Sequence, residues 1–257
     1  MTERNDRWNT TAENGKTAIV QREHSAAVAG ALARGENCET MNKGGRGEVL
    51  RFPIEGGAGI VRVCRRGGVI RRLIKDSYLF LNRPLREWRI HVYAHEHGLR
   101  VPEPLGVCWE RRGLTFRGAL ATREIADAQT LSEYLSGYGK DSGKVMMKVG
   151  GLVRQMHALG VVHGDLQVGN ILVAPDATYL IDFGNAQTRS ELSAMRRAQD
   201  VLRFRRSLQK NGFSSGCYAR FCEGYGTFLP PFGMDFGYRL KGALSDLLAG
   251  RQPRGGE

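Results

Sequence analysis

The sequence predicts an α+β protein of two lobes with a cleft between them. Two observations carry that expectation: glycine-punctuated, strand-like text comes first along the chain, and helical spacing dominates the second half. A third bounds it, because 257 residues at 41% hydrophobic content supply the core of one large or two small domains and exclude wholesale disorder. No run approaches the roughly 18 to 20 apolar residues of a spanning helix. The opening MTERNDRWNT lacks the basic-then-apolar layout of a signal peptide, so the chain is expected in the cytoplasm. Five cysteines without a CxxC pair read as reduced thiols rather than a disulfide frame or a zinc site.

Taken in order, residues 1–40 are polar apart from an alanine-rich patch and are expected to be a flexible leader. A first lobe is expected over 41–124 and a second over 125–257. From Lys43 onward GGRGEVLRF, IEGGAG and IVRVCRRGG read as a hairpin of strands around a Gly-Gly turn. Leu85, Trp88, Val92 and Tyr93 share one helical face, and Gly98 supplies the stop. Helices are expected over 130–135 and 145–159, a basic helix over 191–208, and a last short one in the tail. Between them, Ile171 to Val173 and Tyr179 to Ile181 flank Ala174-Pro175-Asp176-Ala177 as a short hairpin with polar residues at both ends.

Charge points to an anionic partner. The formal net charge is +12, and between Arg62 and Arg100 ten Lys and Arg residues face only Asp76, Glu87 and Glu96. Nucleic acid, phospholipid and a phosphorylated or carboxylated substrate all satisfy that sign.

The densest chemistry lies in His163-Gly164-Asp165-Leu166-Gln167-Val168-Gly169-Asn170 and Asp182-Phe183-Gly184. Asn170 follows Asp165 by five residues and Asp182 follows it by seventeen, a spacing shared with phosphotransferases. In such chemistry Asp165 accepts the hydroxyl proton, while Asn170 and Asp182 offer oxygen ligands to the hard cation Mg2+. His163 is expected to be structural. Gly45, Arg46 and Gly47 precede a hairpin, where backbone N–H groups can lie over phosphates.

With those phrases in view the chain resembles the lipopolysaccharide core kinases of the protein-kinase-like superfamily, bacterial enzymes that phosphorylate Kdo or heptose. The resemblance runs from residue 44 to about 210 through GRGEV, REWRIHVYAHEHGLRVPEPLGV, HGDLQVGN, LIDFG and LRFRRSLQK. Arg65-Arg66-Gly67-Gly68 and Asp76-Ser77-Tyr78-Leu79-Phe80 bring it nearest the Kdo kinase branch. It implies a bilobal protein-kinase-like fold with an ATP cleft, ATP and Mg2+ as cofactors, and a lipid-linked acidic sugar as acceptor. Arg62 falls at the position of the strand lysine that contacts nucleotide phosphates, and Glu87, on the polar side of its helix, matches the acid that pairs with it. Thr122 to Ile125, with Glu124, looks like the adenine-binding hinge. An anionic inner-leaflet surface is the expected partner, with peripheral attachment at the cytoplasmic face of the inner membrane and no nucleic acid. Gly164 and Gln167 stand where protein kinases carry arginine and lysine, and no A-P-E phrase follows, which disfavours a peptide acceptor. The competing expectations are an atypical Ser/Thr kinase or ATPase of the small tRNA-modification or ribosome-associated kind, and a pseudokinase scaffold.

Overall fold

The computed structural model describes residues 7–13, 15–41, 49–64, 82–113, 115–137 and 142–226. The phrases at Gly45, Arg46 and Gly47, the run from Arg65 to Phe80, and the tail beyond Gly226 with its expected last helix lie outside these residues. In chain order the elements begin with β1 (Trp8–Glu13), β2 (Lys16–Gln21), α1 (Ser25–Arg34), β3 (Glu39–Met41), β4 (Val49–Ile54) and β5 (Gly57–Val63). Next come α2 (Arg83–Glu96), β6 (Pro104–Arg112), β7 (Thr115–Arg123), β8 (Gln129–Thr130), α3 (Leu131–Ser136) and α4 (Ser142–Ala158). Then follow β9 (Val161–Val162), a 3-10 turn at Val168–Asn170, β10 (Ile171–Val173), β11 (Thr178–Leu180), β12 (Gln187–Thr188), α5 (Ala194–Lys210) and α6 (Ser215–Tyr225). Two compact units result: Met1–Gln129 with Leu172–Ala186, and Thr130–Ile171 with Gln187–Glu257.

The first unit is built on a seven-stranded sheet in the order β1-β2-β6-β7-β5-β4-β3. Its neighbouring strands pair antiparallel. Side chains alternate across such a sheet, and both faces are covered here. Cys108, Ala119 and Ala121 join Val28, Ala31 and Leu32 of α1 in one apolar cluster, while their neighbours Val107 and Leu120 join Trp88 of α2 in another.

Residues 8–34 correct the expectation of a flexible leader. They form β1, β2 and α1, with β2 hydrogen-bonded to β6 from Lys16↔Glu110 to Val20↔Gly106. The reason is legible afterwards: Asn14-Gly15 between two short strand-like runs is a hairpin signal, and Gly15 has φ +76°. The alanine-rich patch supplies α1, whose small face fits closely on the sheet. The edge of Trp8 also packs against Trp88 with ring centroids 4.9 Å apart.

Asn82 caps α2 by accepting the Leu85 N–H at 3.1 Å, and Pro84 occupies its first turn, where a missing N–H costs nothing. The helix carries His91, whose Nε2–H donates to the Pro102 carbonyl at 2.6 Å and whose ring meets Phe183 edge-on at 5.5 Å. Burial pushes the His91 imidazole down to about 4. An unfolded histidine titrates near 6.5, so the unfolded chain gains a proton first as pH falls. The His91 contribution is therefore complete above about pH 6.5 and is lost as pH drops toward 4. Urea unfolding should lose about 2 kcal/mol between pH 7.5 and 5 through this residue, and the difference should shrink in His91→Gln.

In the second unit α4 crosses α6 at close range. A Cβ on Gly150 of α4 would lie 2.1 Å from the Phe221 carbonyl oxygen, and one on Gly224 would lie 1.9 Å from that of Met147, so glycine is required on both sides of the crossing. Val149, Leu152, Val153 and Met156 of α4 and Phe204, Leu208 and Phe221 of α5 and α6 are buried. Thr130 and Glu133 form a capping box at the start of α3. β9 and β12 pair as Val162↔Gln187 and Val161↔Thr188. Helix bounds differ from the expected ones by a few residues, mostly where caps such as Ser193 of α5 start the helix inside a polar run.

Candidate active site

The chemistry-bearing residues fall into one set in each unit. In the first, the Arg62 guanidinium on β5 is ion-paired through Nη2 to Glu87 Oε1 on α2, and its Nη1 lies 3.4 Å from Asp182 Oδ1. Glu87 was expected on the polar side of its helix, yet its side chain is only 2% exposed. The pairing explains the burial, because an acid turned into a core needs a partner. Burial pushes the Glu87 carboxyl up against the pull of Arg62. Burial also works against the Arg62 charge, but the Glu87 and Asp182 carboxylates outweigh it and hold the guanidinium above its ordinary value. Burial likewise pushes up the thiol of Cys64, 3.9 Å from Glu87 Oε2, which leaves it protonated.

Asp182 adopts φ +67°, a left-handed backbone unusual for a non-glycine residue. The Gly184 N–H donates back to its Oδ1 at 3.3 Å. Gly184 lies close against charged side chains: a Cβ there would meet Arg83 Nη2 at 2.8 Å and Glu87 Oε2 at 3.1 Å. Arg83 is thus a second cation beside this acid pair, and in the sequence it looks like one more arginine in a basic run.

The expected hinge is engaged within the same unit. The Glu124 N–H donates to the Ala58 carbonyl at 2.9 Å, and Arg51 Nη2 lies 2.9 Å from its carboxylate. Next to it, Arg123 Nε donates to Glu103 Oε2 at 2.8 Å, and Glu103 Oε1 also accepts from Gln21 at 2.9 Å and Arg7 at 2.7 Å. Residues near the N-terminus therefore buttress the 122–125 segment.

In the second unit the loop that carries Asp165 is pinned from α5. Asp200, 1% exposed, accepts the His163 N–H at 2.7 Å through Oδ2 and the Gly164 N–H at 2.9 Å through Oδ1. His157 Nε2 reaches the same Oδ2 at 3.3 Å, and its Nδ1 meets the Tyr225 hydroxyl at 2.8 Å. Burial opposes the Asp200 charge, but the hydrogen bond from His157 and the contacts of His163 outweigh it and hold the carboxyl below its usual range. Gly164 has φ +73°, which explains why glycine and not arginine stands there. Val168 N–H donates to Ser207 Oγ at 3.1 Å, a second tie between loop and helix. His163 Nδ1 accepts the Asp165 N–H at 3.3 Å, a structural use of the ring.

Asp165 itself is 36% exposed and meets Gln167 Nε2 and Arg203 Nη1 at 3.3 and 3.4 Å. Asn170 is buried, and its Nδ2 donates to the Asp165 carbonyl at 2.9 Å, so the side-chain amide is oriented by the loop that carries Asp165. Asp200 is hard to single out from sequence, because one acid in a basic helix looks like surface. The available signal was its register, four residues before Phe204 and eight before Leu208, on the face those apolar residues bury.

Asp182 in the first unit and Asn170 in the second each offer a hard oxygen of the kind Mg2+ takes. Among the described residues no group of three His, Cys, Asp or Glu side chains is placed to hold a metal.

The fold is protein-kinase-like. The solved structure of WaaP in complex with acyl carrier protein shares the fold, with a TM-score of 0.55 at 17% identity over 86% of this chain and 90% of that one. The chain belongs to the lipopolysaccharide kinase (Kdo/WaaP) family, whose model matches residues 34–225. It is similar to the 3-deoxy-D-manno-octulosonic acid kinase of Xylella fastidiosa (strain M12), with 30% identity over 181 residues, 68% of this chain and 72% of the relative. The enzyme of the same description from Vibrio vulnificus (strain CMCP6) is 31% identical over 160 residues, 58% of this chain and 67% of that protein. The chain is accordingly an ATP-dependent phosphotransferase with a sugar hydroxyl as acceptor.

Proposed function

We propose that this protein transfers the γ-phosphoryl group of ATP to a hydroxyl of 3-deoxy-D-manno-octulosonic acid (Kdo) linked to lipid A. The observation that carries the reading is the pinned loop: Asp200 holds the His163 and Gly164 amides, and Asp165 beyond them stays accessible to an acceptor. In this reading Asp165 takes the acceptor proton as the new oxygen–phosphorus bond forms and the bond to the ADP oxygen breaks. Arg62, oriented by Glu87, meets the nucleotide phosphates as a fork. The segment around Glu124 receives adenine. Asn170 and Asp182 ligate Mg2+, which neutralises charge on the phosphate oxygens.

The short connection from Gly184 to α5, residues 185–193, supports a small or glycan acceptor because it offers no extended platform for a peptide. The net charge of +12 suits both the carboxylate of Kdo and an anionic inner leaflet. No described helix is long and apolar enough to cross a membrane, so attachment in this reading is peripheral, at the cytoplasmic face of the inner membrane.

The test is transfer of label from γ-32P-ATP with Mg2+ to purified Kdo-bearing lipid A precursor, beside a generic basic protein. Label in the lipid that disappears with Asp165→Ala supports the reading. Label in the protein alone, or hydrolysis unaffected by the lipid, rejects the acceptor. A companion variant reports on the metal: Asp182→Ala should abolish the Mg2+-dependent part of the ATP-induced thermal shift, and an unchanged shift would remove Asp182 from the ligand set.

A further inference from the structure

We propose that Arg203 is a catalytic residue of the transfer, a cation supplied from α5 that meets the oxygens of the moving phosphoryl group beside Asp165. The proposal rests on the placement of Asp165 in the reaction and not on the choice of Kdo as acceptor.

Helix α5 reads the loop along one face. Asp200, Arg203 and Ser207 are spaced by three and four residues, so their side chains stack on one side of the helix. Asp200 takes the amides of His163 and Gly164, and Ser207 takes that of Val168. Arg203 faces the residue between them, Asp165. The two outer side chains are buried and serve the backbone. Arg203 differs, because its side chain is 41% exposed and touches the reacting carboxylate instead.

Charge explains why a cation is needed at this place. A transferring phosphoryl group spreads negative charge over its equatorial oxygens, and catalysis consists largely of fixed positive charge waiting for them. Residues 163–170 contain no Lys or Arg, and Gln167, two residues beyond Asp165, is neutral. Arg203 brings the missing charge from the helix. Its contact with Asp165 is loose: 3.4 Å, against about 2.7–2.9 Å for a tight charge-assisted hydrogen bond. A loose pair can exchange one partner for a phosphoryl oxygen at small cost. Nε is buried without a partner, so the shaft is held in the fold and the Nη edge is the part that can meet an anion.

The experiment follows ADP formation by wild type, Arg203→Met and Arg203→Lys, with Kdo-bearing lipid A precursor and without acceptor, across a range of pH. We expect Arg203→Met to lower kcat about 100-fold at every pH, with KM for ATP within about threefold of wild type and partial recovery in Arg203→Lys. Wild-type turnover in Arg203→Met overturns the proposal. So does a loss confined to KM for the acceptor, which would make Arg203 a substrate anchor. A loss that is regained at another pH also overturns it, since Arg203 would then act only by tuning Asp165. Arg203→Gln serves in place of Arg203→Met if the latter loses its cooperative melt. Should the wild type ignore the Kdo lipid, the sugar assignment fails, and the acceptor-free hydrolysis still decides Arg203.

Discussion

Asp165→Ala is expected to lower kcat for phosphoryl transfer by about 100- to 10,000-fold, the range spanned by loss of a positioned general base, while ATP affinity stays within about twofold. The split follows from where the residue stands. Its carboxylate is 36% exposed and makes only long contacts with Gln167 and Arg203, so removing it opens no cavity and orphans no buried group. Thermal stability should therefore barely move. Arg62, assigned to the nucleotide phosphates and oriented by Glu87, belongs to the other unit. Measured side by side, single-turnover rate and nucleotide binding should separate cleanly. A variant that transfers phosphate at the wild-type rate would move the base elsewhere, and one that loses ATP binding as well would make Asp165 part of the nucleotide site.

Asp200→Ala should show the opposite signature, with stability and activity lost together. Its carboxylate accepts two backbone N–H groups and faces His157 in a place that is 1% exposed. Truncation strips three groups of their partner at once. Breaking a buried charged cluster costs about 3 to 5 kcal/mol, which corresponds to a drop in Tm on the order of 10 °C for a chain of this size. Whatever folds should have a slack Asp165 loop and little turnover. Asp176→Asn, an exposed turn acid between β10 and β11, is the matched control and should change neither. The carboxyl of Asp200 sits below its usual range, so its contribution is present above the unfolded value and is lost as pH falls through the folded one. Acid should consequently hurt the wild type more than Asp200→Asn.

Much of this was legible in the sequence, and the pattern of what was not has a physical cause. Asp165, Asn170 and Asp182 stand out as candidates because their spacing along one short stretch matches the one phosphotransferases share. Helices α2, α4 and α5 follow from apolar periodicity, and β4 and β5 from strand-like runs about a glycine turn. The N-terminal hairpin reads as a polar leader because β1 carries few apolar residues, and its sequence signal is a single Asn14-Gly15 pair. Glu87 was placed on the polar side of its helix because periodicity counts charge as exposure, whereas Arg62 lets it be buried. Asp200 failed the same test for the same reason. Arg83 and Arg203 were hidden by abundance, since a chain with 38 Lys and Arg gives no sign of which of them point at acids.

By itself, then, the sequence determined the family and the reaction class. Tertiary structure decided how the charges are used: it buries Glu87 against Arg62, ties Asp200 to the loop amides and sets Arg203 beside Asp165. The division has a simple origin. A motif is local and survives in the order of residues. The pairing of residues that are 25 or 38 positions apart depends on which side of a strand or helix each one faces, and on the fold that brings those sides together.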